Sequence, residues 1–364
     1  MDNKKHKHYY GQFMTTNYDY ILQNFYIPND ITNIIEPFAG RGDLLNFIKE
    51  TDLSKYNIEC YDIEPQKDFI IKRDTLLDPP SYVNKFIITN PPFLARNKST
   101  NKTLFDKYGV SDLYKCFLKE ITMNSINNAC GGIIILPLNF WSSIQLNDIL
   151  LRHNFLKKYK IIHLNIFQEK VFSDTAYTIC SFQFELKKEN LDEINNIKIT
   201  IFPNGINTNF VFNELNNYTY GGEIYNLKKT DHYRIVRLTS KNKYFKNNNI
   251  LIKCIDDDQD NRINLSIVSD EKVYIDETPN LSARSYASIV ITPEINNEKQ
   301  KLVVEKFNKI LNEYREKYYS LFMTNYRESK NNFARKRITF DFAYTLIHHV
   351  LELIDNENNS NNNH

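Results

Sequence analysis

At 364 residues and 43.2 kDa the chain can bury a full hydrophobic core, and the usual domain size divides it into one large domain and a smaller one. Lys plus Arg total 46 against 44 Asp plus Glu, a formal net charge of +2, so overall charge announces no polyanionic partner and any nucleic-acid face must be a local patch. No stretch approaches the roughly 18 apolar residues of a membrane-spanning helix, and the opening Lys4, Lys5, His6, Lys7 and His8 lead into polar and aromatic residues rather than a secretory leader.

Cys60, Cys116, Cys130, Cys180 and Cys254 stand without pairs at metal-ligand or redox spacing. They read as buried thiols in a reducing compartment, and the expectation is a cytoplasmic protein, or a host-intracellular one if viral.

In chain order, short apolar runs at 33–36, 57–61, 85–89, 132–136, 158–164 and 176–186 alternate with helical patterns at 43–50, 111–127 and 144–154. That alternation predicts an α/β domain with a parallel sheet. The last two runs lie too close for a crossover helix and are expected to form an antiparallel pair at the sheet's edge. Beyond about Lys188 the pattern turns to β-like runs, such as 197–202 and 288–292, followed by helices over 298–321 and 341–354. The expected division is 1–188, then a mixed α+β domain over 189–354, then a disordered Asn-rich tail over 355–364. Asp256, Asp257, Asp258 and Asp260 read as a solvated loop, because no further carboxylates stand at calcium-loop spacing. The histidines are spread without ligand spacing, so no metal is expected.

The first run exits through Glu36, Pro37, Phe38, Ala39, Gly40, Arg41 and Gly42. Two glycines let the backbone approach a ligand closely, and an acid here suits a cationic end of a ligand better than a phosphate. The second run ends at Asp62, Ile63 and Glu64, where a carboxylate can accept ribose hydroxyls. Asp74 then stands where it could accept an adenine amine, with Ile63 and Leu76 as apolar walls. The next run leads into Asn90, Pro91, Pro92 and Phe93. Two consecutive prolines stop the strand and hold the loop rigid.

With that loop the sequence resembles the amino methyltransferases that carry Asp/Asn/Ser-Pro-Pro-Tyr/Phe, and within them the adenine-N6 DNA branch whose cofactor motifs precede the catalytic loop. The resemblance takes in Gly11, Gln12, Phe13, Met14, Thr15 and Thr16, then Ser111 to Tyr114, and Gly131 to Pro137, about the first half of the chain. It implies a Rossmann-like S-adenosylmethionine-dependent methyltransferase sheet followed by a target-recognition domain. The cofactor would be S-adenosyl-L-methionine, held by Phe13, Thr15, Glu36, Phe38, Gly40, Gly42, Asp62, Ile63, Asp74, Leu76 and Asn90. The implied activity is that of a site-specific adenine DNA methyltransferase, the modification arm of a restriction-modification system. It would share a site, CATG by similarity, with any cognate restriction endonuclease. Arg41 between the glycines and Phe93 in place of the commoner Tyr depart from the family's pattern.

The chemistry fits those residues. The N6 lone pair of adenine is delocalised and must be localised before it attacks. Asn90 and the Pro91 carbonyl can accept both N6–H bonds and stabilise the growing positive charge, and Phe93 can stack on a base extruded from the duplex. Cations beside aromatics at Arg335, Lys336 and Arg337, and at Arg234 and Arg237, are the expected contacts to double-stranded DNA. Related loops act on ribosomal RNA bases or on a glutamine side chain in release factors, and a DNA-binding module retaining the fold is the non-enzymatic alternative.

Overall fold

The computed structural model describes residues 15–172, 175, 177–188, 195–258, 260–277, 285–328 and 334–361. It divides into two compact units, Met1–Glu214 and Leu215–His364. The first contains α1 (Tyr18–Ile21), β1 (Asn33–Glu36), β2 (Asn57–Asp62), β3 (Ile71–Lys72), β4 (Phe86–Thr89), α2 (Thr103–Tyr108), α3 (Leu113–Met123), β5 (Gly131–Pro137), α4 (Asn139–Ser142), α5 (Leu146–Lys158), β6 (Tyr159–Phe167), β7 (Ile179–Leu186), β8 (Asn196–Phe202) and β9 (Ile206–Val211).

Its nine strands form one sheet in the order β3-β2-β1-β4-β5-β7-β6-β8-β9. The pairs from β3 through β5 are parallel, as is β6 with β8, while β7 runs antiparallel to both its neighbours. Central strands covered on both faces require continuous apolar runs, and Ile34, Ile35, Ile87, Ile88, Ile133, Ile134 and Ile135 are all fully buried. The fold is therefore α/β with a large, mostly parallel sheet. The chain enters at β1, winds out to β2 and β3, and returns on the other side at β4. The crevice beyond the carboxyl ends of β1 and β4 is thus the topological switch point, where open α/β sheets bind ligands.

Three expectations need correction here. β6 and β7 are antiparallel, but they do not end the sheet: β8, expected in the second domain, pairs in parallel with β6 from His163↔Lys198 to Phe167↔Phe202. β9 then forms the edge and alternates half-buried and exposed residues, as a strand with one wet face does. The segment after the glycine turn is not an α-helix but two 3₁₀ stretches, Asp43–Phe47 and Glu50–Lys55.

The sheet's centre is packed to the limit at Gly132, where an added Cβ would lie 2.5 Å from the Ile87 carbonyl oxygen and 2.9 Å from the Phe184 ring. Gly132→Ala is expected to cost about 1–3 kcal/mol through overpacking, measured as a lower denaturant midpoint with an unchanged slope.

The second unit holds β10 (Arg234–Arg237), β11 (Ile250–Lys253), β12 (Asn264–Ile267), β13 (Tyr286–Thr292), α6 (Asn297–Lys317), the hairpin β14 (Thr324–Glu328) and β15 (Ala334–Arg337), and α7 (Phe340–Asn361). A separate antiparallel sheet has the order β10-β13-β11-β12. Val303, Phe307 and Leu311 are buried at four-residue spacing on α6, the single apolar stripe of a helix with one covered face. α7 continues to Asn361, into the Asn-rich tail expected to be disordered; residues 362–364 lie outside the described ones. Lys299 pairs with Asp355, and Lys306 pairs with Glu357 at 2.8 Å, so α6 holds that extension.

The acidic run is likewise only half a solvated loop. Asp258 and Asp260 are exposed, but Asp256 is 1% exposed and its two oxygens accept from Arg315 at 3.0 and 2.7 Å. Asp257 pairs with Lys253 and Arg335, each at 2.9 Å.

Candidate active site

At the end of β1, Glu36 is 1% exposed, and its Oε2 has no hydrogen-bond partner among the described residues. Burial, and then the neighbouring Asp62 and Asp43 carboxylates, hold its pKa well above the ordinary carboxylate value. A buried carboxyl with an unsatisfied oxygen is costly unless something else meets it, and a cationic ligand group would.

Four residues on, Gly40 has φ of 53°, in the left-handed region, and a Cβ built there would meet nothing within 4 Å. Glycine serves both the turn and the open space beside it. Gly42, with φ of 74°, starts the first 3₁₀ stretch. Two links brace this turn: Gly40 N donates to Asp62 Oδ2 at 2.7 Å, and Ala39 N donates to the Tyr61 carbonyl at 2.8 Å. Asp62 Oδ1 accepts from Glu64 N at 2.8 Å, so the acid assigned to ribose also fixes the glycine turn onto β2.

Thr75 Oγ1 donates to the Pro37 carbonyl at 2.9 Å, which ties the Asp74–Leu76 turn to the exit of β1. Asp74 Oδ1 accepts from Leu76 N at 3.1 Å and Leu77 N at 3.2 Å. Ile63 and Phe38 are half-buried and Leu76 is buried, with Phe38 edge-on to Phe117 at 5.3 Å. Glu36, Gly40, Asp62, Asp74 and Leu76 therefore share one end of the sheet. A cation-seeking carboxyl, a carboxylate pair and apolar walls around open space fit the chemistry of S-adenosyl-L-methionine, with its ammonium, ribose and adenine.

β4, the neighbour of β1, ends at Thr89, and Asn90 follows at once. Its Nδ2 donates to Thr15 Oγ1 at 3.0 Å, which holds the amide plane. Pro91 is buried. Phe93 is 5% exposed and lies edge-on to Tyr114, with ring centroids 6.0 Å apart. Beyond it, Leu94 N donates to Asp112 Oδ1 at 3.0 Å, Leu113 N to the Leu94 carbonyl at 3.2 Å, and Arg96 N to the Ser111 carbonyl at 2.9 Å. The loop is thus clamped on both sides. Burial raises the Asp112 carboxyl to about 7.

Two contributions went unread in the sequence. Thr15, expected against the cofactor, also meets Asn90 through its hydroxyl. Asp112 had no role assigned, although an acid ahead of a helix in Ser111-Asp112-Leu113-Tyr114 was a visible signal. Phe13 lies outside the described residues.

Of the residues expected to contact DNA, Arg234 is exposed at the start of β10. Arg237 pairs with Asp276 at 2.7 Å and lies over the Phe340 ring. Arg335 donates to Asp257 and to the Asp256 carbonyl. Lys336 and Arg337 are half-buried in β15, and burial lowers Lys336 to about 8. The cluster is therefore not an open basic patch, because carboxylates of the same unit engage much of its charge. Among the described residues no group of three or more His, Cys, Asp or Glu could hold a metal ion, and no helix is long and apolar enough to cross a membrane.

No protein-family model matches the chain, and no curated protein matches it. Solved structures do. A Listeria monocytogenes protein assigned as a class I S-adenosylmethionine-dependent methyltransferase is 12% identical over 52% of this chain and 65% of its own, with a TM-score of 0.39. A type I restriction-modification methyltransferase subunit from Streptococcus thermophilus is 14% identical over 60% and 53%, with a TM-score of 0.40. The type IIL restriction-modification enzyme MmeI, solved in complex with DNA, is 15% identical over 61% and 40%, with a TM-score of 0.37. The chain spans less than two thirds of each of these proteins.

Proposed function

We propose that this chain is a site-specific adenine DNA methyltransferase that methylates N6 of an extruded adenine, with S-adenosyl-L-methionine as methyl donor. The observation that carries the reading is the Asn90-Pro91-Pro92-Phe93 loop. It leaves β4 at the switch point, on the strand next to Glu36, whose Oε2 has no partner among the described residues, and its amide is held by Thr15. When bound, the cofactor supplies a methyl already activated on a sulfonium: the N–C bond forms as the S–C bond breaks, and the displaced N6 proton passes to water.

The chain's own residues do the rest. Asn90 Oδ1 and the Pro91 carbonyl accept the two N6–H bonds and stabilise positive charge as it grows on nitrogen. The two prolines keep those acceptors in place before substrate arrives, so little reorganisation accompanies the reaction. Asp112 holds the far side of the loop through Leu94 N. Glu36 receives the cationic amino-acid end of the cofactor, and Asp62 its ribose.

Incubation with tritiated cofactor and unmethylated duplex DNA, ribosomal RNA or a release factor tests this reading. Label is expected in DNA, recovered as N6-methyladenine. Label confined to RNA or to protein would overturn it. Direct detection of methylated adenine in DNA from expressing cells would then give the recognition sequence, with CATG as the expected site.

A further inference from the structure

Between β10 and β11 the chain runs Lys241, Asn242, Lys243, Tyr244, Phe245, Lys246, and the two rings are 85% and 70% exposed. All three lysines are exposed as well. This is not a loose loop. Asn242 Oδ1 accepts from Thr239 N at 2.6 Å and from Thr239 Oγ1 at 3.0 Å, and its Nδ2 donates to the Arg237 carbonyl at 2.9 Å. At the other end Asn247 Nδ2 donates to the Ile291 carbonyl at 2.5 Å, while its Oδ1 accepts from Ile291 N at 3.3 Å. Between these anchors Lys243–Phe245 forms a 3₁₀ turn closed by Phe245 N on the Asn242 carbonyl at 2.9 Å. Two adjacent rings are therefore held in water by a fixed scaffold.

The turn is also fastened to a neighbouring segment, through Ser240 N to the Asp276 carbonyl at 3.1 Å and Lys246 to Asp270 at 2.8 Å. That segment adds Tyr274 and Ile275, 46% and 38% exposed. The composition discriminates between partners. Protein interfaces are enriched in aromatics but depleted in lysine, and here lysine fills three of the six positions. Ammonium groups beside exposed ring faces suit a polyanion that also offers stackable bases. The arginines expected to supply such contacts, Arg237 and Arg335, are engaged by carboxylates instead.

We propose that the 241–246 turn is a DNA-contacting element of this chain, with Lys241 and Lys243 on backbone phosphates and Tyr244 and Phe245 packed on bases opened from the stack. The proposal rests on the DNA reading above and assigns it a surface.

The test is fluorescence anisotropy with a labelled unmethylated DNA duplex containing CATG, and with an RNA duplex of the same sequence, across a salt series. Lys241→Ala with Lys243→Ala is expected to lower the slope of log affinity against log salt by about 2, the loss of two phosphate contacts. Tyr244→Ser with Phe245→Ser is expected to weaken DNA binding about tenfold or more at nearly constant slope. Because all four side chains are exposed, unchanged melting temperatures check that the variants fold. Unaltered affinity and slope in both variants would overturn the inference, as would tighter RNA binding that the ring substitutions abolish. Methyl transfer by the unsubstituted chain separates the two readings: methylated DNA with binding-neutral variants removes the turn alone, whereas loss of DNA binding in the variants upholds the turn whether or not methyl is transferred.

Discussion

Replacing Asn90 with alanine is expected to lower the turnover number for methyl transfer by about 10²–10³-fold, the usual cost of removing one preorganised acceptor of developing charge. Cofactor affinity should change little. The N6 nitrogen becomes positive as it attacks, and alanine removes one of the two oxygens that stabilise it while leaving the Pro91 carbonyl. Asn90→Asp keeps an acceptor oxygen, and the Thr15 hydroxyl can donate to the oxygen that replaces Nδ2, so its turnover should fall between that of Asn90→Ala and that of the original chain. Thr15→Val separates orientation from chemistry: the acceptor stays, its amide loses the partner at 3.0 Å, and turnover should drop by less than in Asn90→Ala and recover in Thr15→Ser. Single-turnover transfer of tritium, paired with calorimetric cofactor binding, measures both quantities. An Asn90→Ala enzyme that turns over at the original rate would end the assignment.

The central strands were legible because a parallel sheet buried on both faces leaves no choice of residue. Asn33–Glu36 is a strand with the expected limits, and β2, β4 and β5 shift by a residue at their ends. β8 was visible as a strand but was given to the wrong unit. Nothing local to 196–202 tells a strand that it will pair with β6, about 35 residues upstream, rather than start a new sheet. The 3₁₀ stretches after Gly42 carry a helical apolar spacing, which does not by itself distinguish a 3₁₀ turn from an α-helical one.

The candidate site divides the same way. Residues at strand ends could be found because the fold's topology says where strand ends meet. Contacts made by side chains across long separations could not: Asn90 with Thr15 spans 75 positions, Arg315 with Asp256 spans 59, and Arg335 with Asp257 spans 78. The acidic run looked like solvated charge and the basic run like free DNA contacts because their partners lie far along the chain: Asp256 is met by Arg315, and Asp257 by Arg335. A run of like charge read alone overstates what is free to bind DNA, and the turn at 241–246, with rings among its lysines, was passed over for the denser Arg-Lys-Arg.

Glu36→Gln is expected to weaken cofactor binding about 30-fold or more, the lower end of the cost of truncating one partner of a buried, hydrogen-bonded charge pair. It should also flatten the pH dependence of that binding. The sign follows from burial. With its pKa raised well above the ordinary carboxylate value, the folded chain without ligand holds a proton on Glu36 that the unfolded chain has released. Stability therefore falls as pH rises above the unfolded value, until the folded value is passed. Gln resembles the protonated carboxyl and cannot ionise, so the variant should gain stability relative to the original chain as pH rises through that window. Ligand binding runs the other way. A cation beside Glu36 favours its ionised form, so binding releases a proton and the affinity of the unsubstituted chain should climb with pH across the same range. S-adenosylhomocysteine, which keeps the ammonium and lacks the sulfonium, identifies the cation: an equal loss of affinity for both compounds in Glu36→Gln places the carboxyl on the ammonium. Calorimetric titrations at several pH values, in buffers of different ionisation enthalpy, read the affinity and the released proton together. If Glu36→Gln bound the cofactor with the original affinity and the original pH slope, the unsatisfied oxygen at the end of β1 would have no part in holding it.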